Sequence, residues 1–388
     1  MLNNKNLITP CNIYILLWLI YNMQGILYPS GGIVSVSVLA ILLVWSMYNA
    51  AQANRYAPKP KFFEGLNALL LLFTVYGVYL MMLGPDIFIT EGDVGEVRKL
   101  GYLKEIYSSL LPIYSFYLFA KRGELDSSLF GKWFLAFIFV AVFQYVRSLQ
   151  MSLISVGNDE VTNNEGYLFV ALMPGLLLFR AKPIWQYVCV IAFLTLIFFS
   201  MKRGAILTGV LAVVYFFYYK FNHAAGRKKT IVFLALAIFV CVSCLMVSRL
   251  LETSEYFNAR LQATLEGNDS NRSDMYSHLW NVFLYESNII QMLFGHGAWG
   301  TLTVNMNFAH NDWLEILTNQ GLLGIFVFLY YWWCFYKSSR DAKSRDRHAC
   351  LYLAFFICLA KTIFSMSYSD MNIYMTSAIG LCLASEIK

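Results

Sequence analysis

Apolar runs of about 17 to 22 residues recur along the whole chain, and few of them carry a charge. A helix needs about 20 such residues to cross roughly 30 Å of hydrocarbon. Within lipid every backbone N–H and C=O must be satisfied internally, so a spanning segment is either a helix or part of a closed barrel. Transmembrane barrels alternate polar and apolar residues, and these runs do not. The chain is therefore expected to fold as an all-α polytopic membrane protein, with residues 1–388 forming a single integral membrane domain. Charged residues make up only 13% of it, against about 25% in soluble domains, which leaves little polar surface for a separate water-facing domain.

The pattern yields about twelve spans, at 12–27, 33–50, 66–83, 102–120, 132–154, 166–179, 184–200, 205–221, 230–247, 312–336, 349–366 and 373–385. No small-residue cleavage site clearly follows the first run, which reads as a retained signal anchor. Orientation follows from Lys and Arg. With the N-terminus inside, the inner connections collect most of the 29 basic residues, including Arg55, Lys121, Arg122, Lys228, Lys229, Lys337 and Arg340. The outer connections take acids such as Asp86, Glu91, Asp93, Glu96, Asp159, Glu160 and Glu165. Both termini are thus expected in the cytoplasm. The net charge of +6 is a topology signal and points to no nucleic-acid partner. All eight cysteines lie in spans or at their edges, so no disulfide framework is expected outside. Cys241 and Cys244 have redox-like spacing but sit mid-span, where they read as small packing residues.

One connection differs from the rest. At residues 248–309 the chain is expected to form a large outer loop, polar and mixed with aromatics. Loops of this length inside a compact protein are usually functional. Residues 274–291 place apolar side chains near a 3.6-residue period, with Asn271 or Ser273 as candidate caps. The run Gly295-His296-Gly297-Ala298-Trp299-Gly300 is no nucleotide loop: no strand precedes it and no Lys-Ser/Thr follows. It reads as a sharp turn that brings the chain close to the membrane surface. No inner connection is long enough for a nucleotide-binding domain, and no cofactor is indicated.

The groups that could carry chemistry gather on this same side. Lys202 and Arg203, in Ser200-Met201-Lys202-Arg203-Gly204, are uncompensated positive charges in a short outer turn, against the positive-inside bias. They either snorkel to lipid phosphates or hold an anionic partner. Arg272 precedes the helical stretch of the loop, and guanidinium groups match phosphate oxygens in bidentate geometry. Arg147 lies within a span, where an ionisable residue is either a site residue or paired with a carboxylate on another helix. His310 opens the tenth span. Asn311 and Asp312 are good capping residues, and Glu315 stands at capping-box spacing from Asp312. That helix N-terminus favours anions, and histidine is the side chain whose ordinary pKa suits proton transfer near neutral pH. Trp299 is a candidate platform for a sugar ring or a member of an interfacial belt. Gly321 and Gly324 are expected to let a neighbouring helix pack closely. The spacing of His278, His296 and His310 fits no compact zinc pattern, so no metal is predicted.

Three places together resemble the O-antigen polymerase and ligase superfamily of bacterial inner-membrane glycosyltransferases. They are Ser200 to Ala205 opening a span, Arg272 in the large loop, and Gly295-His296-Gly297 followed by His310-Asn311-x-x-Leu314 and Gly321-x-x-Gly324. The family usually shows Ser or Thr just before the first arginine; here Lys202 intervenes. The resemblance implies a glycosyltransferase C-type-like fold, a multi-pass location in the bacterial inner (cytoplasmic) membrane, and a metal-independent enzyme. Its donor would be a glycan on undecaprenyl diphosphate. It implies Arg203 and Arg272 gripping the diphosphate and His310 activating or orienting the acceptor hydroxyl, with membrane lipids, a chain-length regulator and a flippase as partners.

Within the family, a polymerase joins one lipid-linked repeat unit to another on the periplasmic face, and a ligase transfers the glycan to lipid A-core. The continuation Asp312-Trp313-Leu314-Glu315 favours the polymerase. A polysaccharide flippase or other transporter also has about twelve spans. It would spread polar groups through a central cavity between similar halves, whereas here they collect at one outer site.

Overall fold

A computed structural model of the protein describes residues 9–56, 59–89, 95–96, 98–156, 162–179, 183–253, 255, 258, 262, 272–365 and 371–384. Asn271 lies outside these residues, as do the acids Glu91, Asp93, Asp159 and Glu160. Apart from a two-residue antiparallel pairing of Phe88–Ile89 with Gly95–Glu96, the described elements are helical. They are α1 (Pro10–Asn22), α2 (Ile33–Arg55), α3 (Phe62–Leu83), α4 (Leu100–Leu110), α5 (Pro112–Lys121), α6 (Ser127–Val156), α7 (Gly166–Leu178), α8 (Pro183–Phe199), α9 (Arg203–His223) and α10 (Arg227–Thr253). Within the loop region come α11 (Arg272–Asn281), a π-helical turn (Val282–Glu286), α12 (Ile289–Phe294) and α13 (Gly300–Asn305), and after it α14 (Asp312–Asp341), α15 (Arg345–Phe364) and α16 (Ile373–Leu383).

Among the described residues, six helices are long and apolar enough to cross a membrane: α2, α3, most of α6, α9, most of α10, and α14. Gly166–Leu178, Ile184–Phe199 and Ile373–Leu383 are shorter apolar helices. The protein is thus an all-α polytopic membrane protein. The span expected at 102–120 is divided by Pro112, which cannot donate a helical N–H, into α4 and α5. Helix α10 leaves many of its leucines and isoleucines exposed, whereas α7 is buried along nearly all its length and packs against α6, α8, α9, α15 and α16. One continuous apolar core joins the helices and takes in Ala298, Trp299 and Leu302 from the loop region, so this part of the loop is docked on the bundle.

The helical stretch expected at 274–291 is shorter than its periodicity suggests. It runs as α11 to Asn281, widens into the π-helical turn, and stops at Ser287. Asn288 then starts α12 with a complete capping box to Gln291.

The long helix α14 is broken. Gly321 has φ 65 and ψ −158, outside any helix, so residues 312–320 form one segment and 322–341 another. This corrects the packing role expected for Gly321 and Gly324. A Cβ at Gly321 would stand 2.6 Å from the Gly295 nitrogen and 2.7 Å from the Leu293 carbonyl oxygen. A Cβ at Gly324 would meet Ile316 and Gln320 of the segment before the break, at 2.8 and 2.5 Å. The glycines therefore permit a break and a loop–helix backbone crossing, not the approach of a separate transmembrane helix.

Candidate functional site

A helix that breaks at Gly321 leaves the carbonyls of the preceding turn without their i+4 partners. The loop supplies them: His296 N–H donates to the Thr318 carbonyl at 2.8 Å and Gly297 N–H to the Asn319 carbonyl at 2.9 Å. Gly295, at φ 73, lies so close to the Asn319 carbonyl that a Cβ there would stand 2.4 Å away. The sequence reading of a sharp turn holds. What the turn approaches is the 312–320 segment.

Glu315 ties the same segment to the rest of the loop. It is fully buried. Its carboxylate accepts the Thr301 hydroxyl, the Asn319 side-chain amide at 3.0 Å and the Ala309 backbone N–H at 2.8 Å. The Asn319 oxygen in turn accepts the Thr301 N–H at 2.8 Å. Burying a carboxylate is costly unless hydrogen bonds replace its water, and three donors do so here. Glu315 is thus a structural hub one turn below His310. Its bonds go to Thr301, Asn319 and Ala309, and the N-cap of α14 is Asn311, not Asp312, so the spacing of Asp312 and Glu315 is not that of a capping box here.

His310 adopts φ 50, a left-handed conformation that costs a non-glycine residue roughly 1–3 kcal/mol. Its neighbours hold it there. Ala309 is fixed to Glu315, and the Asn311 side-chain oxygen caps α14 by accepting from the N–H groups of Trp313 at 3.0 Å and Leu314 at 3.2 Å. The other end of the Asn311 amide donates to the Ile363 carbonyl at 3.1 Å, and the Trp313 indole N–H donates to the Thr362 hydroxyl at 2.9 Å. The start of α14 is therefore clamped to the last turn of α15. Asp312 is fully buried at the first position of α14.

The Ser200–Gly204 turn is built with similar economy. Ser200 is fully buried; its hydroxyl donates to the Ile197 carbonyl at 2.6 Å and accepts the Lys202 N–H at 3.3 Å. Its carbonyl accepts the Asn163 N–H at 2.8 Å, which fixes the turn against the start of α7. Gly166 is required there, since a Cβ would lie 2.4 Å from the Ser200 oxygen. Met201, at φ 51, turns the chain so that Lys202 occupies the N-cap position of α9 and Arg203 its first helical residue.

These pieces surround a cavity of about 520 Å3. Lys202 and His310 line it, together with Glu105 of α4, Asn164, Glu165 and Tyr167 at the start of α7, Lys361 and Ser365 at the end of α15, and Asn372 at the cap of α16. Arg272, half-buried at the first position of α11, lies within electrostatic reach of His310. The imidazole is open to the cavity, yet its pKa is held below the ordinary 6.5, first by burial and then by the charges of Arg272 and Lys202. It is neutral near pH 7, with a ring nitrogen free to accept a proton.

The structure thus brings together His310, Lys202, Arg272 and Asn311. Arg203 is half-buried at the next position, and it is Lys202 that lines the cavity. Arg147 lies elsewhere, with its guanidinium against the backbone of Gly25. Trp299 is buried and meets Tyr102 edge to face at 5.7 Å, covering Gly101, so its ring serves packing. The sequence reading did not single out Lys361, Glu105 and Glu165 as candidates, and the fold places them on the cavity wall. Lys361 is an ionisable residue inside a span, the signal that singled out Arg147. Glu105 was hidden in a segment read as plain membrane wall.

A family described as O-antigen ligase matches residues 188–329. The match runs from α8 to the second segment of α14, under half of the chain, and includes Lys202, Arg203, Arg272, His310, Asn311, Asp312 and Glu315. Lys361, Glu105 and Glu165 fall outside it. It supports the O-antigen polymerase and ligase superfamily, whose members are glycosyltransferase-like membrane enzymes, and does not separate the two activities. No curated relative matches the chain.

Proposed function

We propose that the protein is a polymerase of O-antigen or a related surface polysaccharide, joining polyprenyl-diphosphate-linked repeat units at the periplasmic end of the bundle. The observation that carries this reading is the convergence of a neutral imidazole, His310, and Lys202 on one cavity beside two helix starts, with Arg272 close enough to act on His310 electrostatically. The acceptor hydroxyl oxygen attacks the anomeric carbon of the donor sugar while the bond from that carbon to the diphosphate oxygen breaks. The hydroxyl proton passes to His310, and the diphosphate leaves with its lipid. Negative charge grows on the leaving group, where fixed cations and the N–H groups at the start of α9 stabilise it. Lys202 and Arg272 are the direct candidates, with Arg203 supporting them from the first turn of α9. Glu105 and Glu165 supply acceptors for sugar hydroxyls.

Arg203→Lys keeps the charge and loses bidentate geometry, so polymer yield should fall at least about tenfold at normal protein level. Wild-type yield in Arg203→Ala would remove the residue from the diphosphate site.

The lipopolysaccharide profile of a strain lacking the protein tests the function itself. Core carrying a single repeat is the expected result. Core alone, with lipid-linked polymer accumulating, would instead identify a ligase. Repeat units accumulating on the cytoplasmic face would identify a flippase and overturn the reading.

A further inference from the structure

The cavity is not closed on its membrane side. Thr208 of α9 and Ile357 of α15 line both it and a second groove of about 480 Å3 that runs between these helices. That groove is walled by Leu211, Val214 and Tyr215 on one side and Leu353, Phe356 and Ala360 on the other, and offers almost no polar surface. At the junction stands Lys361, buried to 8% exposure, with its ammonium 4.8 Å from the centre of the Tyr167 ring. A cation inside a membrane helix is costly and marks a ligand or ion path more often than a packing position. A cation in the last turn also suits the helix dipole, but that role needs no burial and no place on the cavity wall. The hydrogen bonds of Asn311 to Ile363 and Trp313 to Thr362 fix the turn bearing Lys361 to the residues that follow His310.

We infer that cavity and groove form one lipid-phosphate site: Lys361 is a ligand of the diphosphate, opposite Lys202, and the isoprenoid chain of the same molecule lies in the α9–α15 groove. This rests on the proposed donor class. The occupant follows from the joined chemistry, since an apolar channel leading to a wall with Lys202 and Lys361 fits an anion carrying a long hydrocarbon chain. Tyr167 holds the ammonium by a cation–π contact and places it toward the cavity.

The test uses the full protein in nanodiscs and a polyprenyl diphosphate bearing a diazirine in its first isoprene units and no glycan. Cross-links should map to peptides of α9 and α15 and be displaced by unlabelled polyprenyl diphosphate. Lys361→Gln should weaken capture at least about tenfold, the loss of one charged hydrogen bond, and Lys361→Arg should restore most of it. Ala360→Trp, which fills the groove, should move the cross-links elsewhere while inorganic diphosphate still binds. Labelling that a diazirine phosphatidylglycerol reproduces would show ordinary boundary lipid and overturn the inference, as would wild-type capture in Lys361→Gln. Capture that behaves as expected in a protein that forms no glycosidic bond would sink the polymerase reading and leave this site standing. Normal polymer formation with no dependence of capture on Lys361 or Ala360 would do the reverse.

Discussion

His310→Gln should abolish long-chain polymer while the protein still inserts and still captures lipid diphosphate. Glutamine keeps approximate size and hydrogen bonding but cannot take a proton, and general acid–base assistance is worth about 10² to 10⁴-fold. A loss of that size removes the ladder of chain lengths from a gel. The surroundings also set a pH signature. Burial and the charges of Arg272 and Lys202 hold the imidazole below 6.5, so the active, unprotonated form persists through neutral pH and is lost as pH falls through that lowered value. In wild-type protein, transfer should therefore stay level at neutral pH and fall only below about 6.5. Lys202→Gln removes one of the cations that disfavour imidazolium, so its acid limb should move to higher pH, whatever happens to overall rate. Full polymer from His310→Gln would exclude the base role and leave positioning by cations and helix termini as the source of catalysis.

Gly321→Ala should be nearly as damaging, although Gly321 touches no substrate. Its φ of 65 with ψ −158 belongs to a region that is essentially glycine-only, at a cost of roughly 1–3 kcal/mol for another residue. The added methyl would also lie within 2.7 Å of backbone atoms of Leu293 and Gly295. Backbone cannot rotate aside as a flexible side chain can, so the loop must leave the broken helix. The bonds from His296 and Gly297 to the Thr318 and Asn319 carbonyls go with it. The bundle helices should still insert, but residues 295–311 should become accessible to protease and polymer should disappear. Resistance to proteolysis like that of the wild type, with normal polymer, would show that the crossing tolerates a methyl group and that its role in holding His310 is overstated. Gly324→Ala, which meets two side chains and one carbonyl of the segment before the break, should be milder.

Much of this protein can be read before any coordinates exist. The hydrophobic length of each run dictates helices, because the chain has no other way to satisfy its backbone in lipid. The misplaced charges of Lys202 and Arg203 and the capping pattern at Asn311 are local signals, and local signals survive in one dimension. His310 and Arg272 were legible for the same reason: each stands out against its own neighbours. What the sequence could not decide is which of these groups share a cavity and what holds them. Gly321 and Gly324 read as small residues for helix packing, and only the crossing of Leu293 and Gly295 over α14 shows that Gly321 breaks the helix. Glu315 read as a cap partner, and only the fold brings Thr301, Ala309 and Asn319 to its carboxylate. Lys361 stood as a single charge in an apolar run, far in sequence from His310 and Lys202. Its meaning depends on α15 packing beside α7 and α9, a set of long-range contacts fixed by the shapes of many apolar side chains at once and by no local pattern.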